Sequence, residues 1–465
     1  MDENSGFLAE IEGYCRRVGI AETTFGRQAV NDGKFVGRLR DGKRVTTTTV
    51  ARVRAFIHAR AGEDGGAPAE AAAPTNGAAA TPVPPAAGMT EDRGTFRFYD
   101  NRQKYLMFVN TCGEKWAVAE RAGMELAHIH PTPPALRVFD AGMGDGTVLT
   151  RVMRHMHQRF PTLPFYVVGK EISLEDVRLS LEKMPDRFFE HPATVLVCTN
   201  LYYTEAPWLT PRSMQAAASL NWIEVPLTGA TSHEFEDQIA RLQATLADGW
   251  QVRSSPRTGN PLYVRPSVLV LYREDHRFLL DSVIPRPGRL RADYDLVIAS
   301  QPYRARMPVA FKVQKVLGPL ARSLAPGGRL LGIHSYGRDP GIEIVRRMWP
   351  GEEPFRTNRH QLLKALKQEL GRAGRELNFN AYADKRAIFR YHMHTLPTEV
   401  GGGSIGTSTL WAAWNAAIYV AQIEDDRLEA VMQDNAYLEA TREVLTRHGG
   451  LWFLDESYVV SRRRG

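Results

Sequence analysis

The chain has 465 residues, more than one ordinary hydrophobic core accommodates, so the length predicts two or three domains. Hydrophobic residues make up 43% and charged residues 24%, values typical of a soluble globular protein. The longest apolar stretch, LWAAWNAAIYVAQI at 410–423, is shorter than a bilayer requires and indicates a packed helix rather than a membrane span. The N-terminal stretch MDENSGFLAE is acidic and polar, without the pattern of a secretory signal, so we expect a cytoplasmic protein.

The cysteines and histidines do not form a metal-binding pattern. Cys15, Cys112 and Cys198 are too few and too scattered for a disulfide framework or a zinc site. Three histidine pairs have i,i+2 spacing, which places both rings on one face only in a strand, and no cysteines or acids cluster beside them. We therefore predict no metal site.

The first 90 residues divide into a small module and a linker. Residues 62–90 are mostly Ala, Pro and Gly, without large side chains to anchor a fold, and are predicted to be a flexible linker. In residues 1–61 apolar side chains recur at helical spacing in four segments, which predicts four short helices. Between 34 and 60 eight basic residues stand against one acid, a charge excess typical of nucleic-acid binding.

The segment FGRQAVNDGKFVGRLRDG, 25–42, resembles the helix-turn-helix of the lambda-repressor-like family, although Asn31 and Asp32 depart from that family at the turn. The resemblance implies that Phe25, Val36 and Leu39 pack the two helices together. It places five side chains at DNA: Gln28, Lys34, Arg38, Lys43 and Arg44. The alternative is a basic helical bundle that binds a protein or nothing.

After the linker, helical patterns alternate with apolar strand candidates. The predicted strands are 136–142, 164–171, 194–200, 294–300, 328–335, 387–394 and 451–460. Between the first two, TVLTRVMRHMHQRF has one apolar stripe, as expected for a crossover helix that covers a sheet. This alternation predicts a doubly wound, Rossmann-like α/β sheet with ligands at the carboxyl ends of its strands.

The stretch RVFDAGMGDGTVL, 137–149, forms a glycine loop after the first strand. A dinucleotide fingerprint, G-x-G-x-x-G, would need its third glycine where Thr147 stands. The glycines are instead Gly142, Gly144 and Gly146, and Asp140 ends the strand before them. A carboxylate aimed into this loop repels a pyrophosphate and attracts a cation.

The loop resembles the first motif of class I S-adenosylmethionine-dependent methyltransferases, and the resemblance extends over 91–465, with seven strands of which the last two form an antiparallel hairpin. It implies that Asp140, Ala141 and the glycines hold the methionine end of S-adenosylmethionine. Glu171, which closes the second strand, would bind both ribose hydroxyls, and Asn200 after the third strand would meet the adenine. In the structural alternative, Asp140 and Glu171 only cap helices.

Two insertions depart from that family, at about 201–290 and 397–449. The first contains helical and strand-like patterns that suggest an added subdomain. Insertions at strand ends commonly build a binding pocket, so we expect these segments to contact the methyl acceptor.

The fourth strand of this predicted sheet runs into ASQPYRAR. Ser300, Pro302 and Tyr303 resemble the tetrad of amino-group methyltransferases, in which polar groups orient the target amine and the ring stacks on a planar substrate, but Gln301 replaces the first proline. An ordinary strand-to-helix turn is the alternative. His334, after the fifth strand, is a further candidate for the pocket and a proton acceptor if the acceptor is a hydroxyl.

The sequence therefore predicts a methyltransferase with a DNA-binding module, acting on an unidentified acceptor that we expect to be a small molecule. One alternative is a transcriptional regulator whose larger domain senses S-adenosylmethionine. Another is a DNA or RNA base amino-methyltransferase.

Overall fold

A computed structural model of the chain describes residues 3–18, 20–30, 32, 35–41, 49, 50, 53, 54, 56 and 57, and then 102–255, 260–288, 292–395, 399–400 and 404–464. The chain divides into two compact units, Met1–Met89 and Thr90–Gly465. The predicted linker at 62–90 lies outside the described residues. No helix in the described ranges is both long and apolar enough to cross a membrane.

The N-terminal unit is helical. Its helices are α1 (Glu3–Val18), α2 (Glu22–Val30) and α3 (Phe35–Arg40), and the described residues between 49 and 57 are also helical. Phe25, Val36 and Leu39 are buried together in its core, as the sequence predicts. The edge-to-face packing of Tyr14, Phe25 and Phe56 completes that core.

The larger unit is a mixed α/β domain. Its α-helices are α4 (Arg102–Thr111), α5 (Glu114–Leu126), α6 (Thr147–Arg159), α7 (Leu174–Leu181), α8 (Pro185–Glu190), α9 (Met214–Ala218), α10 (Ser232–Ala240), α11 (Gln243–Gly249), α12 (Arg277–Leu280), α13 (Val309–Phe311), α14 (Gly318–Arg322), α15 (Pro340–Met348), α16 (Arg359–Leu370), α17 (Asp384–Ala387), α18 (Thr407–Val420), α19 (Asp425–Val431) and α20 (Ala436–His448). A π-helical segment, Lys312–Leu317, joins α13 to α14, and short 3-10 turns cover Ala206–Trp208, Glu274–His276 and Gly371–Glu376.

The strands of this unit are β1 (Leu136–Asp140), β2 (Phe165–Lys170), β3 (Thr194–Thr199), β4 (Asn221–Leu227), β5 (Val252–Ser254), β6 (Pro261–Tyr263), β7 (Ser267–Arg273), β8 (Tyr294–Ser300), β9 (Leu324–Ser335), β10 (Leu377–Asn380), β11 (Ile388–His392) and β12 (Trp452–Arg462). Ten of them form one sheet in the order β10-β12-β9-β8-β1-β2-β3-β7-β4, with β11 also paired to β12. β5 and β6 form a separate hairpin. All seven predicted strands are present in the large sheet.

The centre of the sheet is parallel and doubly wound. β1 pairs in parallel with β2 on one side and with β8 on the other. The strands β1 to β3 follow one another toward one edge of the sheet, whereas β8 and β9 follow one another toward the opposite edge, so the strand order reverses between β1 and β8. Ligands of open α/β sheets bind at such a reversal, outside the carboxyl ends of the strands. The predicted doubly wound α/β sheet is therefore confirmed, and the reversal lies beside the glycine loop.

Alternating residues of the central strands bury both faces of the sheet. Val138 and Val167 pack with the helices on one face, whereas Phe139 and Val168 pack on the other. The crossover helix α6 contributes Leu149 and Met153 to the first face. Because both layers are packed, the ends of the strands are held in fixed positions relative to one another.

The first insertion does not form the separate subdomain that the sequence suggested. Its strands β7 and β4 extend the main sheet instead, with β7 antiparallel to β3 and β4 parallel to β7. β7 is buried along its whole length, so it gains more by joining the existing core than by forming a small core of its own.

Candidate active site

A cavity of about 430 Å³ lies at the carboxyl ends of the central strands. This volume falls in the range of small-molecule sites, roughly 300–1,000 Å³. The residues that line it from the sheet are Gly142, Met143, Gly144, Lys170, Glu171, Ile172, Ser173, Ser300, Gln301, Pro302, Tyr303 and Arg304. Both insertions also reach it, the first through Asn260 and Pro261 and the second through Tyr419, Val420 and Gln422.

The glycine loop adopts a backbone that favours glycine. Gly144 and Gly146 have φ values of +53° and +76°, in the left-handed region. A Cβ on Gly146 would lie 2.5 Å from the Oγ of Ser180, so the helix after the loop packs closely only with glycine there. A Cβ on Gly142 would meet nothing nearer than the Ser300 carbonyl oxygen at 4.0 Å, so glycine at this position leaves room for a ligand.

Glu171 faces the cavity and also fixes the loop. Its Oε2 accepts a hydrogen bond from the Gly144 amide at 2.9 Å, and its Oε1 accepts from the amides of Ile172 and Ser173 at 2.8 and 2.9 Å. Two carboxylate oxygens accept about four hydrogen bonds, so three amide donors leave acceptor capacity for about one further hydrogen bond, such as one from a hydroxyl group.

Asp140 lies beneath the loop rather than in the cavity wall. It is 2% exposed, its Oδ1 accepts from the Gly142 amide at 3.1 Å, and its Oδ2 has no hydrogen-bond partner among the described residues. Burial raises the pKa of this carboxyl to about 6. Ala141 is also buried, and its amide donates to the Ile298 carbonyl at 2.8 Å. The backbone of the glycine loop therefore separates Asp140 from the cavity, and the charge of Asp140 acts across this backbone.

Two lysines and an acid that the sequence analysis did not single out form ion pairs at the glycine loop. Lys115 Nζ lies 2.9 Å from Asp145 Oδ1 and donates to the Tyr105 hydroxyl at 2.9 Å. Lys183 Nζ lies 2.8 Å from Asp145 Oδ2. Burial alone would raise the pKa of Asp145, but the two ammonium groups outweigh it and hold that pKa well below its usual range. Lys115 belongs to α5, and nothing local in the sequence reveals that this helix reaches the loop.

Asn200 is a scaffold residue in this structure, which corrects the expectation that it meets the adenine. Its side chain is fully buried and does not line the cavity. Its Nδ2 donates to the carbonyls of Gly249 and Arg265, both at 2.9 Å, and its Oδ1 accepts from the Ser267 amide at 2.8 Å. These bonds tie β3 to the first insertion and leave little capacity for a ligand.

His334 lies behind Tyr303 and does not line the cavity, which corrects its expected place in the pocket. Its Nδ1 is 3.5 Å from the Tyr303 hydroxyl, and its Nε2 is 2.8 Å from Glu456 Oε1. Glu456 Oε2 in turn binds Arg359 at 2.7 Å. This buried chain of groups supports Tyr303 from behind, so His334 is not placed to take a proton directly from an acceptor in the cavity.

The loop after β8 does not have the backbone of the amine-orienting tetrad. Gln301 has a φ of +48°, and its amide donates to the Ile333 carbonyl at 2.9 Å. Proline has a φ near −65° and no amide hydrogen, so it could not occupy this position. The Pro302 carbonyl already accepts from the Tyr203 hydroxyl at 2.9 Å. Ser300, Pro302 and Tyr303 do line the cavity, but the resemblance to the tetrad does not extend to its geometry.

The Gln301 side chain reaches two carboxyl groups, that of the buried Asp455 and that of the partly buried Glu114. Its Nε2 donates to Ser335 Oγ at 3.1 Å and lies 3.4 Å from both Glu114 Oε1 and Asp455 Oδ1. Burial raises the pKa of Glu114, and burial together with the nearby Glu114 raises that of Asp455 well above its usual value. Glu114 and Asp455 therefore release their protons less readily than an exposed pair of acids would.

Several of the described basic side chains in the N-terminal unit have acidic partners. Arg38 pairs with Asp32, and Arg40 lies 2.7 Å from both Glu12 and Glu22. The charge excess between 34 and 60 is thus partly neutralised by acids that precede it in the chain. The side chains of Gln28, Lys34, Lys43 and Arg44 lie outside the described residues.

Comparison with known proteins identifies no family for the chain. No protein-family model and no curated protein matches it. Among solved structures it is similar to geranyl diphosphate methyltransferase in complex with GPP and sinefungin, at 14% identity over 74% of this chain and 77% of that chain, with a TM-score of 0.24. The same enzyme in complex with SAM matches at 13% identity over 81% of this chain and 100% of that chain, also with a TM-score of 0.24. The rRNA methyltransferase aviRa from Streptomyces viridochromogenes matches at 16% identity over 47% of this chain and 72% of that chain, with a TM-score of 0.20. At these values the matches do not bear on what this chain binds or does.

Proposed function

We propose that the larger unit is an S-adenosylmethionine-dependent methyltransferase. The observation that carries the proposal is the cavity at the reversal point of the sheet, with Glu171 in its wall and the buried Asp140 beneath its glycine loop. Two carboxyl groups around a glycine loop disfavour a dinucleotide pyrophosphate and suit a ligand that carries ribose hydroxyls and positive charge.

The residues present fit this cofactor. Glu171 has acceptor capacity left for one ribose hydroxyl, and the space over Gly142 admits the methionine end close to the backbone. The unpartnered Oδ2 of Asp140 adds negative charge beneath that space. A bound S-adenosylmethionine supplies an electrophilic methyl group, and the task of the protein is then to hold the acceptor atom in line with it.

We propose a small molecule as the acceptor. Aromatic side chains form part of the remaining cavity wall, among them Tyr203, Tyr303, Phe311 and Tyr419. Both insertions reach into the cavity, which favours an acceptor smaller than a nucleic acid. The backbone of Gln301 removes the main support for the alternative of a base amino-methyltransferase.

Titration calorimetry of the full chain with S-adenosylmethionine and S-adenosylhomocysteine tests the proposal. We expect both ligands to bind, and binding to be lost in Gly144→Val, because a side chain there would meet the Tyr105 hydroxyl and Lys115 Nζ at 3.1 and 3.3 Å in a left-handed backbone. Asp140→Ala should weaken binding. Gly351→Val is the matched control, since a Cβ on Gly351 meets nothing within 4 Å. Unchanged binding in both site variants would refute the proposal.

We propose in addition that the N-terminal unit binds DNA. The side chains of Arg38, Arg40 and Arg54 are about half exposed, at 52%, 49% and 54%. Exposed ion pairs contribute little to stability, so these arginines can exchange their acidic partners for phosphates. Fluorescence anisotropy with duplex DNA should show binding that weakens steeply between about 50 and 200 mM salt and that falls in Arg38→Ala. Binding that is equal in that variant, or independent of salt, would contradict this assignment.

The same DNA assay distinguishes an enzyme from a sensor. Footprinting with and without S-adenosylmethionine, together with a screen of cell extract for methylated products, separates the two. A specific footprint that requires the cofactor, with no methylated product, would favour a transcriptional regulator that senses S-adenosylmethionine.

A further inference from the structure

Lys170 is a cation in the cavity wall without a counter-ion among the described residues. It ends β2, directly before Glu171, and lines the cavity. No carboxylate or hydrogen-bond acceptor within the described ranges contacts its ammonium group. The Lys170 Nζ lies over the ring of Tyr203, 4.8 Å from the ring centre. Lys115 in the same wall differs, because it pairs with Asp145 and Tyr105.

An ammonium group that is partly buried in this cavity without an ion-pair partner is costly. Desolvation disfavours its charged form, and the ring of Tyr203 offsets only part of that penalty. Burial accordingly lowers the pKa of Lys170, although the neighbouring Glu171 carboxylate opposes the shift. An anion bound in the cavity would supply the missing partner.

Lys170 and Glu171 reach different groups in the cavity wall. Consecutive residues at the end of a strand point to opposite sides, and the Glu171 carboxylate reaches the glycine loop whereas the Lys170 ammonium reaches Tyr203. The Tyr203 hydroxyl donates to the Pro302 carbonyl at 2.9 Å, which links Lys170 to the loop after β8. The two further basic residues of the wall, Arg304 and Lys315, also belong to the segment that follows this loop.

We infer that Lys170 binds an anionic oxygen group, a carboxylate or a phosphate, carried by the hydrophobic body of the methyl acceptor. The inference rests on the proposed methyltransferase function, because it takes Glu171 and the glycine loop as the place of the cofactor. It narrows the acceptor to organic acids whose apolar part packs on the aromatic wall. Lys170 is then a binding residue that fixes the orientation of the acceptor.

The test uses the full chain saturated with S-adenosylhomocysteine, with sodium benzoate and inorganic phosphate as separate probes in titration calorimetry. We expect at least one probe to bind, and its affinity to fall on the order of 10-fold or more in Lys170→Met, the loss that follows from one hydrogen bond to a charged group. Binding of benzoate alone would identify a carboxylate, and binding of phosphate alone a phosphate. Lys364→Met, which removes an exposed lysine from α16, is the matched control and should leave both affinities unchanged.

Two further measurements distinguish a failure of this inference from a failure of the proposed methyltransferase function. The affinity for S-adenosylhomocysteine should be equal in wild type and in Lys170→Met, and the thermal midpoint of the variant should not fall, because methionine replaces a partly buried ammonium group that has no ion-pair partner among the described residues. Probe binding that is absent from the wild type, or unchanged in Lys170→Met, would overturn the inference. A loss of S-adenosylhomocysteine affinity in Lys170→Met would also overturn it, since Lys170 would then hold the cofactor. Failure of the wild type to bind S-adenosylhomocysteine at all would refute the proposed function instead.

Discussion

Replacing Asp140 by asparagine should stabilise the ligand-free protein at neutral pH and weaken its binding of S-adenosylmethionine. The structure raises the pKa of this buried carboxyl from 3.8 to about 6, so keeping it ionised at pH 8 costs roughly 3 kcal/mol of folding free energy. The raised pKa means that the folded state binds more protons than the unfolded state between about pH 4 and 6. The wild-type protein therefore loses stability from this group as the pH rises through that window.

Asparagine keeps the acceptor for the Gly142 amide but does not titrate, so Asp140→Asn removes this pH dependence. We expect its stability relative to wild type to increase by roughly 2 to 3 kcal/mol between pH 4 and pH 8. Urea unfolding followed by tryptophan fluorescence measures this, because all eight tryptophans lie in the larger unit. The affinity for S-adenosylmethionine at pH 8 should fall on the order of 10-fold, since a neutral amide offers no charge to a cationic ligand. A stability difference that is equal at pH 4 and pH 8 would refute this account of Asp140.

Three further substitutions test the loop and its surroundings. Gly146→Ala should destabilise the larger unit by roughly 1 to 3 kcal/mol in urea, because its Cβ would lie 2.5 Å from Ser180 Oγ at a φ of +76°; wild-type stability would contradict the observed packing. Gln301→Pro, which restores the sequence of the amine-orienting tetrad, should lower stability and abolish binding of S-adenosylhomocysteine. Gln301→Gly should retain the fold in circular dichroism. A stable proline variant would show that the φ of +48° is not required. Arg359→Met should lower the free energy of unfolding by roughly 3 to 5 kcal/mol, because it leaves the Glu456 carboxylate buried without the Arg359 guanidinium. The double variant with Glu456→Gln should recover part of this loss. A double variant that is no more stable than the single one would contradict this charge-based explanation.

Local patterns in the sequence were sufficient for seven of the twelve described strands, the crossover helix and the glycine loop. Apolar runs bounded by polar residues mark the buried strands of a parallel sheet, and the stripe of α6 marks the face that covers it. The spacing of Gly142, Gly144 and Gly146 between Asp140 and Thr147 is likewise a local property, because the loop's backbone geometry depends on which residues stand next to one another. Glu171 was identifiable for the same reason, as the residue that closes β2.

Contacts between distant segments were decided only by the tertiary structure. The pairing of Lys115 with Asp145, the place of His334 behind Tyr303 and the use of Asn200 to tie β3 to an insertion each join residues from different elements. No short-range pattern encodes such contacts, since they depend on how the layers pack.

Lys170 shows the same difference between what the sequence determines and what the tertiary structure determines. The sequence by itself placed this lysine at the end of a strand beside the proposed ribose-binding acid. Only the packed structure places it in the cavity wall, against the ring of Tyr203 and without a counter-ion among the described residues. Chain order determines which residues end the strands of a doubly wound sheet, whereas the counter-ions and solvent exposure of those residues depend on segments that pack there from elsewhere in the chain.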